Sequence, residues 1–270
     1  MTPGGSALGV VVRLDTVDST QAVAFALAER GAADRTVVVA DQQIDGRGRR
    51  GRTWRAPAGT SLLTSIVVRP RLPQARLATL SLASAVATAE ALRRISPVDA
   101  KLKWPNDVLV AGRKIAGILL ESRIGGRAEA GGSVPAGLTS LVTIIGIGIN
   151  LGQREFPPDL ADSATSIALE TGRAPGREAM LTALLEEFDT WRARLEGEGF
   201  GPVREAWRRL SDTLGRKVTV DAVTGLAVDL DTDGALLIDV GGSLKRVVAG
   251  AVSSGDATVR TPISDSPVSG

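Results

Sequence analysis

The segment Gly46-Arg47-Gly48-Arg49-Arg50-Gly51-Arg52-Thr53-Trp54 constrains this chain more than any other nine residues. It sets four arginines among three glycines, and Arg55 adds a further positive charge after the tryptophan. Glycine lets backbone N–H groups turn inward and approach an anion closely. Arginine adds forked donors suited to phosphate or carboxylate, and tryptophan offers a flat face for a ring. The segment contains G-x-G-x-x-G, yet the dinucleotide fold signalled by that pattern needs a strand directly before it and a helix opening inside it. Here Asp41 to Asp45 separate the preceding strand from the first glycine, and Pro57 and Gly59 fall where the helix would run. No carboxylate lies between Thr60 and Gln74, where the ribose partner is expected. A solvated basic loop or a nucleic-acid patch stays open, although charge alone does not call for such regularly placed glycines.

The 270 residues allow one large domain, or a medium and a small one, with a substantial core. No apolar run approaches the roughly 18 residues of a membrane span, and Met1 to Gly9 lack a signal-peptide pattern, so a cytoplasmic protein without a membrane partner is expected. With no cysteine there are no disulfides, thiolate nucleophiles or Cys-based zinc sites. With no histidine or tyrosine, catalysis must run on carboxylates, lysine, arginine, backbone dipoles or a borrowed metal ion. That favours positioning and charge stabilisation, such as attack on an activated phosphate. Net charge is only +2, which fits an enzyme better than a dedicated nucleic-acid binder. Only five of the 32 basic residues are lysines, and three of those five are Lys101, Lys103 and Lys114. In an arginine-rich chain they suggest sites that want a compact ammonium.

Hydrophobic patterning predicts strands at Val10–Leu14, Thr36–Ala40, Ser61–Val68, Lys101–Lys103, Val108–Val110, Lys114–Glu121 and Leu141–Ile149. Helices are predicted over Gln21–Arg30, Gln74–Ile95, Glu178–Leu195 and Pro202–Leu210, the first capped by Asp18-Ser19-Thr20 and closed by Gly31. Ala111-Gly112-Arg113 reads as a hairpin turn and Gly125–Gly137 as a loop. After Leu214, short strands at Val218–Val220, Leu226–Leu230, Ala235–Val240 and Leu244–Val248 read as a small β-barrel. The expected class is α+β, a mixed β-sheet flanked by helices plus that barrel. The expected division is a catalytic domain over 1–213, a small domain over 214–262 and a disordered tail over 263–270.

Two further segments carry chemistry. In Lys103-Trp104-Pro105-Asn106-Asp107, proline and the Asn-Asp pair make a stiff turn that projects lysine, amide and carboxylate toward one place. The aspartate there suits a divalent cation beside a phosphate; a plain turn is the alternative. Lys114 opens an apolar strand, where a lone lysine is costly unless it meets an anion. In Gly146-Ile147-Gly148-Ile149-Asn150, alternating glycines strip one strand face for a flat ligand, and Asn150 can pair with a base edge. A bulged core strand is the alternative reading of that segment.

Taken in order, these segments resemble the biotin protein ligases. The likeness rests on Asp18-Ser19-Thr20, Gln43, the Gly46–Trp54 loop, Lys103 to Asp107, Lys114 within Arg113-Lys114-Ile115-Ala116-Gly117-Ile118-Leu119, and Gly146 to Asn150. It spans most of residues 10 to 152, and the distal β region resembles the family's SH3-like C-terminal domain by pattern only. The resemblance implies a catalytic fold like that of class II aminoacyl-tRNA synthetases, with biotin and ATP as substrates and Mg2+ accompanying the nucleotide. It implies formation of biotinyl-5′-AMP, then transfer of biotin to a lysine of the biotin carboxyl carrier domain of an acyl-CoA or pyruvate carboxylase. Biotin would be held by Ser19, Thr20, Gln21, Gln43, Arg47, Gly48, Arg49 and Lys114. The nucleotide would be held by Arg49, Arg50, Arg52, Trp54, Lys103, Asn106, Asp107 and Asn150. Lys114, Arg47 and Arg49 would be catalytic, and Asp107 would be the magnesium ligand. A lipoate or octanoyl ligase shares this architecture but should not carry the arginine loop. Some family members are also repressors; with no room for a recognition module before Val10, no sequence-specific DNA binding is expected. A monomer or a ligand-dependent homodimer is expected. Ile44-Asp45 departs from the small residue that relatives often carry before the first glycine, and no residue of the C-terminal region aligns to a catalytic position.

Overall fold

The computed structural model describes residues 10–124 and 141–254. The predicted loop at Gly125–Gly137 and the tail over 263–270 lie outside the described residues. In chain order the first part contains β1 (Val11–Val17), α1 (Thr20–Glu29), β2 (Val37–Gln43), β3 (Ser61–Val68), α2 (Leu77–Ile95), β4 (Lys101–Lys103), β5 (Asp107–Val110), β6 (Arg113–Ile124) and β7 (Leu141–Asn150). Then come the helices α3 (Ile167–Thr171), α4 (Arg177–Glu198) and α5 (Phe200–Leu210). The seven strands form one mixed sheet in the order β1-β2-β3-β7-β6-β5-β4. Only β1 and β2 pair in parallel, as the crossover through α1 requires.

Strand β3 is buried at all eight positions because it is central, with helices over both faces. Leu62, Ile66 and Val68 pack on the side of α2 and α4, while Val67 packs with Phe25 and Ala28 of α1. The same alternation explains the Gly-Ile run of β7. Ile145, Ile147 and Ile149 enter the larger core on the α2 side. Gly146 and Gly148 therefore face the α1 side, with Ser65 and Leu63 opposite them on β3 and Leu119 and Gly117 opposite them on β6. A shallow trough beside α1 results, lined by glycine where a core would otherwise fill.

The C-terminal strands β8 (Lys217–Val220), β9 (Val223–Leu230), β10 (Leu236–Val240), β11 (Ser243–Val247) and β12 (Val252–Ser254) form an antiparallel sheet ordered β11-β10-β9-β8-β12. The barrel predicted here is a five-stranded sheet with β11 and β12 at its edges; among the described residues no pairing between those edges closes it. Its inner face, with Val218, Leu230 and Ile238, joins the same hydrophobic core as α2 and α5. Trp104, 2% exposed, fastens the two sheets: its indole Nε1 donates to Gly234 O at 3.0 Å and its backbone N–H donates to Thr213 Oγ1 at 2.9 Å. Arg204 and Arg208 of α5 both donate to Asp229 of β9. Burial opposes ionisation of Asp229, yet the donors from Arg208, the Leu230 N–H and Arg204 outweigh it and hold the carboxyl below its ordinary value.

Helix α3 and strand β12 were not predicted, and both are too short for periodicity to reveal. The Ser166 hydroxyl caps α3 by accepting the Leu169 N–H at 3.1 Å, and Gly172 ends it with φ 84°. The predicted long helix begins instead with a 3₁₀ turn at Gln74–Arg76. The predicted hairpin turn is present, with Ala111 at φ 50° and Gly112 at φ 76°, the positive values a two-residue β turn demands.

Candidate active site

The trough beside α1 ends in a buried, uncharged network. Gln43 Oε1 accepts from the Thr20 N–H at 2.8 Å and from the Thr20 hydroxyl at 2.9 Å. Thr20 Oγ1 lies 2.8 Å from Ser65 Oγ, which also lies 3.1 Å from Gln21 Oε1. The other end of the Gln21 amide donates to Ile144 O at 3.3 Å. Ser19 occupies the N-cap position of α1 but does not cap it; its hydroxyl is buried and has no hydrogen-bond partner. An orphaned buried hydroxyl beside a trough is a vacancy for a polar guest.

Over the trough lies the arginine segment, folded as a small hairpin. The Trp54 N–H donates to Gly46 O and the Gly48 N–H to Arg52 O, both at 2.7 Å, with Arg47 and Thr53 bridged between them. At its tip Arg50 takes a left-handed conformation (φ 56°) and reaches Asp221, in the β8–β9 turn, at 3.2 Å. Arg49 instead turns inward and donates to Asn106 Oδ1 at 2.8 Å, while Asn106 Nδ2 donates to Ile118 O at 2.7 Å. Burial lowers the pKa of the Arg49 guanidinium, Asp107 opposes that shift, and Arg50 and Arg52 add to it. An anion arriving there would relieve this cost, a sign of a site built for negative charge.

Trp54 closes the trough. A Cβ at Gly148 would lie 2.7 Å from the indole Cε2, and one at Gly117 would lie 3.1 Å from Cζ3, so only glycine lets the ring rest on the sheet. The indole Nε1 is buried without a hydrogen-bond partner. Lys114 stands beside the ring, its ammonium 5.7 Å from the ring centre and 2.6 Å from Asp107 Oδ1. Lys114 and Asp107 therefore form a close ion pair, although its geometry is not that of an aligned hydrogen bond. The Lys114 backbone is clamped from the far side: its N–H donates to Ser163 O at 2.8 Å and its carbonyl accepts the Thr165 N–H at 2.9 Å.

Two adjoining cavities meet at Gly48, Arg49, Trp54, Asn106 and Lys114. The first runs back to Ser19, Thr20, Gln21 and Gln43 and takes in Arg47. The second runs outward past Arg50, Arg52, Lys103 and Asp107 to Asn150. The residues expected to hold biotin and the nucleotide thus line one continuous space, whereas Lys101, also singled out from the sequence, lies outside it with its ammonium 3.3 Å from Asp99 Oδ2. Asn150 is 4% exposed, and its amide donates to Thr165 O at 3.0 Å, so one of its two N–H donors is already engaged. Sequence reasoning missed Ser65, one of three small polar residues, with Ser61 and Thr64, in an otherwise apolar strand. It also missed Phe156, Leu160 and the Gly250–Val252 segment, which wall the second cavity. Nothing local in the sequence marks these, because chain segments distant in sequence bring them to the site.

The arrangement is a neutral pocket beneath a cationic hairpin, set on a mixed sheet. Residues 14–136 match the Biotin/lipoate A/B protein ligase family and residues 213–255 match the Biotin protein ligase C terminal domain. The chain belongs to the biotin protein ligase family. It is 38% identical over 234 residues to the Biotin–[acetyl-CoA-carboxylase] ligase of Paracoccus denitrificans, covering 83% of this chain and 92% of that protein. It is 31% identical to the Bifunctional ligase/repressor BirA of Bacillus spizizenii, covering 89% of this chain and 73% of that protein. The structure of biotin protein ligase from Aquifex aeolicus in complex with biotin and ATP superposes with a TM-score of 0.77 at 29% identity, over 92% of this chain and 99% of that one. Among the described residues, no helix is long and apolar enough to cross a membrane.

Proposed function

We propose that this chain activates biotin with ATP and passes the biotinyl group to a lysine of a biotin carboxyl carrier domain. The observation that carries this reading is the junction of the two cavities at Lys114 and Arg49, between an uncharged polar pocket and a cationic hairpin. The neutral pocket suits the ureido ring, and the junction suits two anions that must meet. A biotin carboxylate oxygen attacks the α-phosphorus; the new P–O bond forms as the bond to pyrophosphate breaks. Lys114 and Arg49 offset the charge gathering on the phosphoryl oxygens. In the second step the acceptor amine attacks the acyl carbon, AMP leaves, and the amine gives up a proton. Arg47, Gly48 and the hairpin hold the adenylate meanwhile, with Trp54, where the two cavities meet, beside its nucleotide part. Arg50, Arg52, Lys103 and Asn106 face the nucleotide, with Asn150 at the end of that wall.

Mg2+ would enter with the nucleotide. Among the described residues, no cluster of three carboxylates could hold an ion unaided. Asp107, whose carboxylate pairs with Lys114 at the edge of the second cavity, would be the one carboxylate of the usual arrangement completed by phosphates and water. The ion would supply charge neutralisation on the phosphates. We assign the catalytic part to residues 1–213 and a supporting part to 214–262. We expect a monomer or a ligand-dependent homodimer, working in the cytoplasm. We expect no sequence-specific DNA binding, since arginine contacts to phosphate carry no sequence information.

The test is pyrophosphate release from ATP with biotin, lipoate or octanoate, followed by biotin transfer to a purified carrier domain. Release with biotin alone, followed by transfer, is the expected result. Preference for lipoate or octanoate would overturn it.

A further inference from the structure

Lys114 stands where its strand has lost its regular neighbours. On one side, β7 pairs with β6 only as far as Ala116, opposite Ile149. On the other, the register against β5 shifts between Val108 and Leu109, a bulge that leaves Ile115 without an opposite residue. A bulge re-aims the side chains beside it, and a charged group aimed in this way keeps its direction only if its backbone is held. The hold comes from Ser163 to Thr165, a short strap that runs parallel to β6 at Lys114. The Lys114 N–H donates to Ser163 O and the Thr165 N–H donates back to Lys114 O, so both backbone groups of the lysine are used.

The strap is itself gripped. Thr165 is fully buried, and its carbonyl accepts the Asn150 amide at 3.0 Å. Its hydroxyl donates to Glu170 Oε1, and the same oxygen accepts from Arg113 Nη2 at 2.8 Å. One carboxylate oxygen thereby holds the strap beside Lys114 and the residue before it. The Glu170 side chain is 14% exposed and sits on α3, which the Ala168 N–H ties to Leu151 O, just past the end of β7, at 2.9 Å. Arg113, Thr165 and Glu170 line neither of the two cavities that meet at Lys114.

We propose that Glu170 is a positioning residue for adenylate formation: through Thr165 and Arg113 it fixes the backbone from which Lys114 reaches the reacting phosphate. This inference rests on the proposed role of Lys114 and adds what aims that lysine. A lysine side chain is long and flexible, so the place of its ammonium depends on a fixed base. A small misplacement lowers the rate of the chemical step far more than it weakens substrate binding.

The test measures pyrophosphate release by the full chain and separates kcat from the KM values for biotin and ATP. Glu170→Ala should lower kcat roughly 10- to 100-fold, with both KM values changed about twofold or less. The same substitution is then made in the Lys114→Ala variant. With the lysine gone, its mounting has nothing to aim, so the residual rate should change about twofold or less. A residue that served stability alone would lower the rate by the same factor in both backgrounds, and that result overturns the proposal. A raised KM at unchanged kcat overturns it as well, as does wild-type turnover in Glu170→Ala. Should urea denaturation show that Glu170→Ala does not fold, Thr165→Val, which removes only the gripped hydroxyl, replaces it in both backgrounds under the same criteria. Failure of the wild type to release pyrophosphate with biotin overturns the functional reading instead.

Discussion

The pocket floor and the hairpin above it solve opposite problems with opposite materials. The floor, Ser19 to Gln21 with Ser65, is buried, uncharged and held by side-chain hydrogen bonds to neighbours in the rigid sheet. The hairpin exposes Arg47, Arg50 and Arg52, and its own fold rests on a few backbone hydrogen bonds and two side-chain anchors. A neutral guest offers weak forces, so selectivity needs donors and acceptors fixed in advance in a dry place. Anions offer strong forces at longer range, so arginines can stay solvated until the charge arrives. The difference teaches where errors are costly: a misplaced atom matters in the floor, a missing charge in the hairpin and at Lys114.

The largest effect should come where the two regions meet. Lys114→Ala should lower the rate of pyrophosphate release roughly 10²- to 10³-fold, the cost of one charge-stabilising donor, with a much smaller change in biotin affinity. Near-normal turnover in that variant would remove Lys114 from the chemistry. Next, Gly148→Ala sets a Cβ against the Trp54 indole. It should raise the KM for biotin about tenfold, as expected for displacing one well-packed wall, and unchanged kinetics would show that the ring moves freely.

A third, smaller effect concerns the second sheet that the hairpin leans on. Asp229→Asn should cost about 1–3 kcal/mol of stability at neutral pH, read from urea denaturation, since Arg204 and Arg208 lose their charged partner. The folded carboxyl sits below its ordinary value, so its contribution is present in full above the unfolded value. It fades as pH falls toward and through the folded one. The gap between wild type and variant should therefore close in acid; a constant gap would mean the charge is not what matters.

The smallest effect is reserved for the tip. Asp221→Ala removes the exposed partner of Arg50 and should raise the KM for ATP no more than about threefold, an effect erased near 1 M salt. A large, salt-resistant loss would mean that the hairpin is held as rigidly as the floor, and the contrast between them would fail.

The cationic half of the site was legible in the chain, because its function depends on side-chain charge and on local glycines. Lys103, Asn106, Asp107 and Lys114 were recognisable for the same reason. The neutral half was only partly so. Asp18-Ser19-Thr20 looks like a helix cap, and its place is indeed the start of α1, but the Ser19 hydroxyl caps nothing. Ser65 carried no signal at all. Likewise, the stripped face of Gly146 and Gly148 was predicted to lie open to a flat ligand, while in the structure Trp54 rests on Gly148 and the Gln21 amide crowds Gly146.

By itself the sequence determined the alternation of strands and helices, the density of positive charge and the residues able to carry it, because these depend on neighbours a few positions apart. Tertiary structure alone decided which face of β7 became a trough, that Ser65 joins Thr20 to Gln21, and that Asp221 and Gly250 approach a hairpin some 170 to 200 residues earlier in the chain. Those outcomes follow from sheet order and register, which place side chains from distant segments within hydrogen-bond reach; no local pattern encodes that distance.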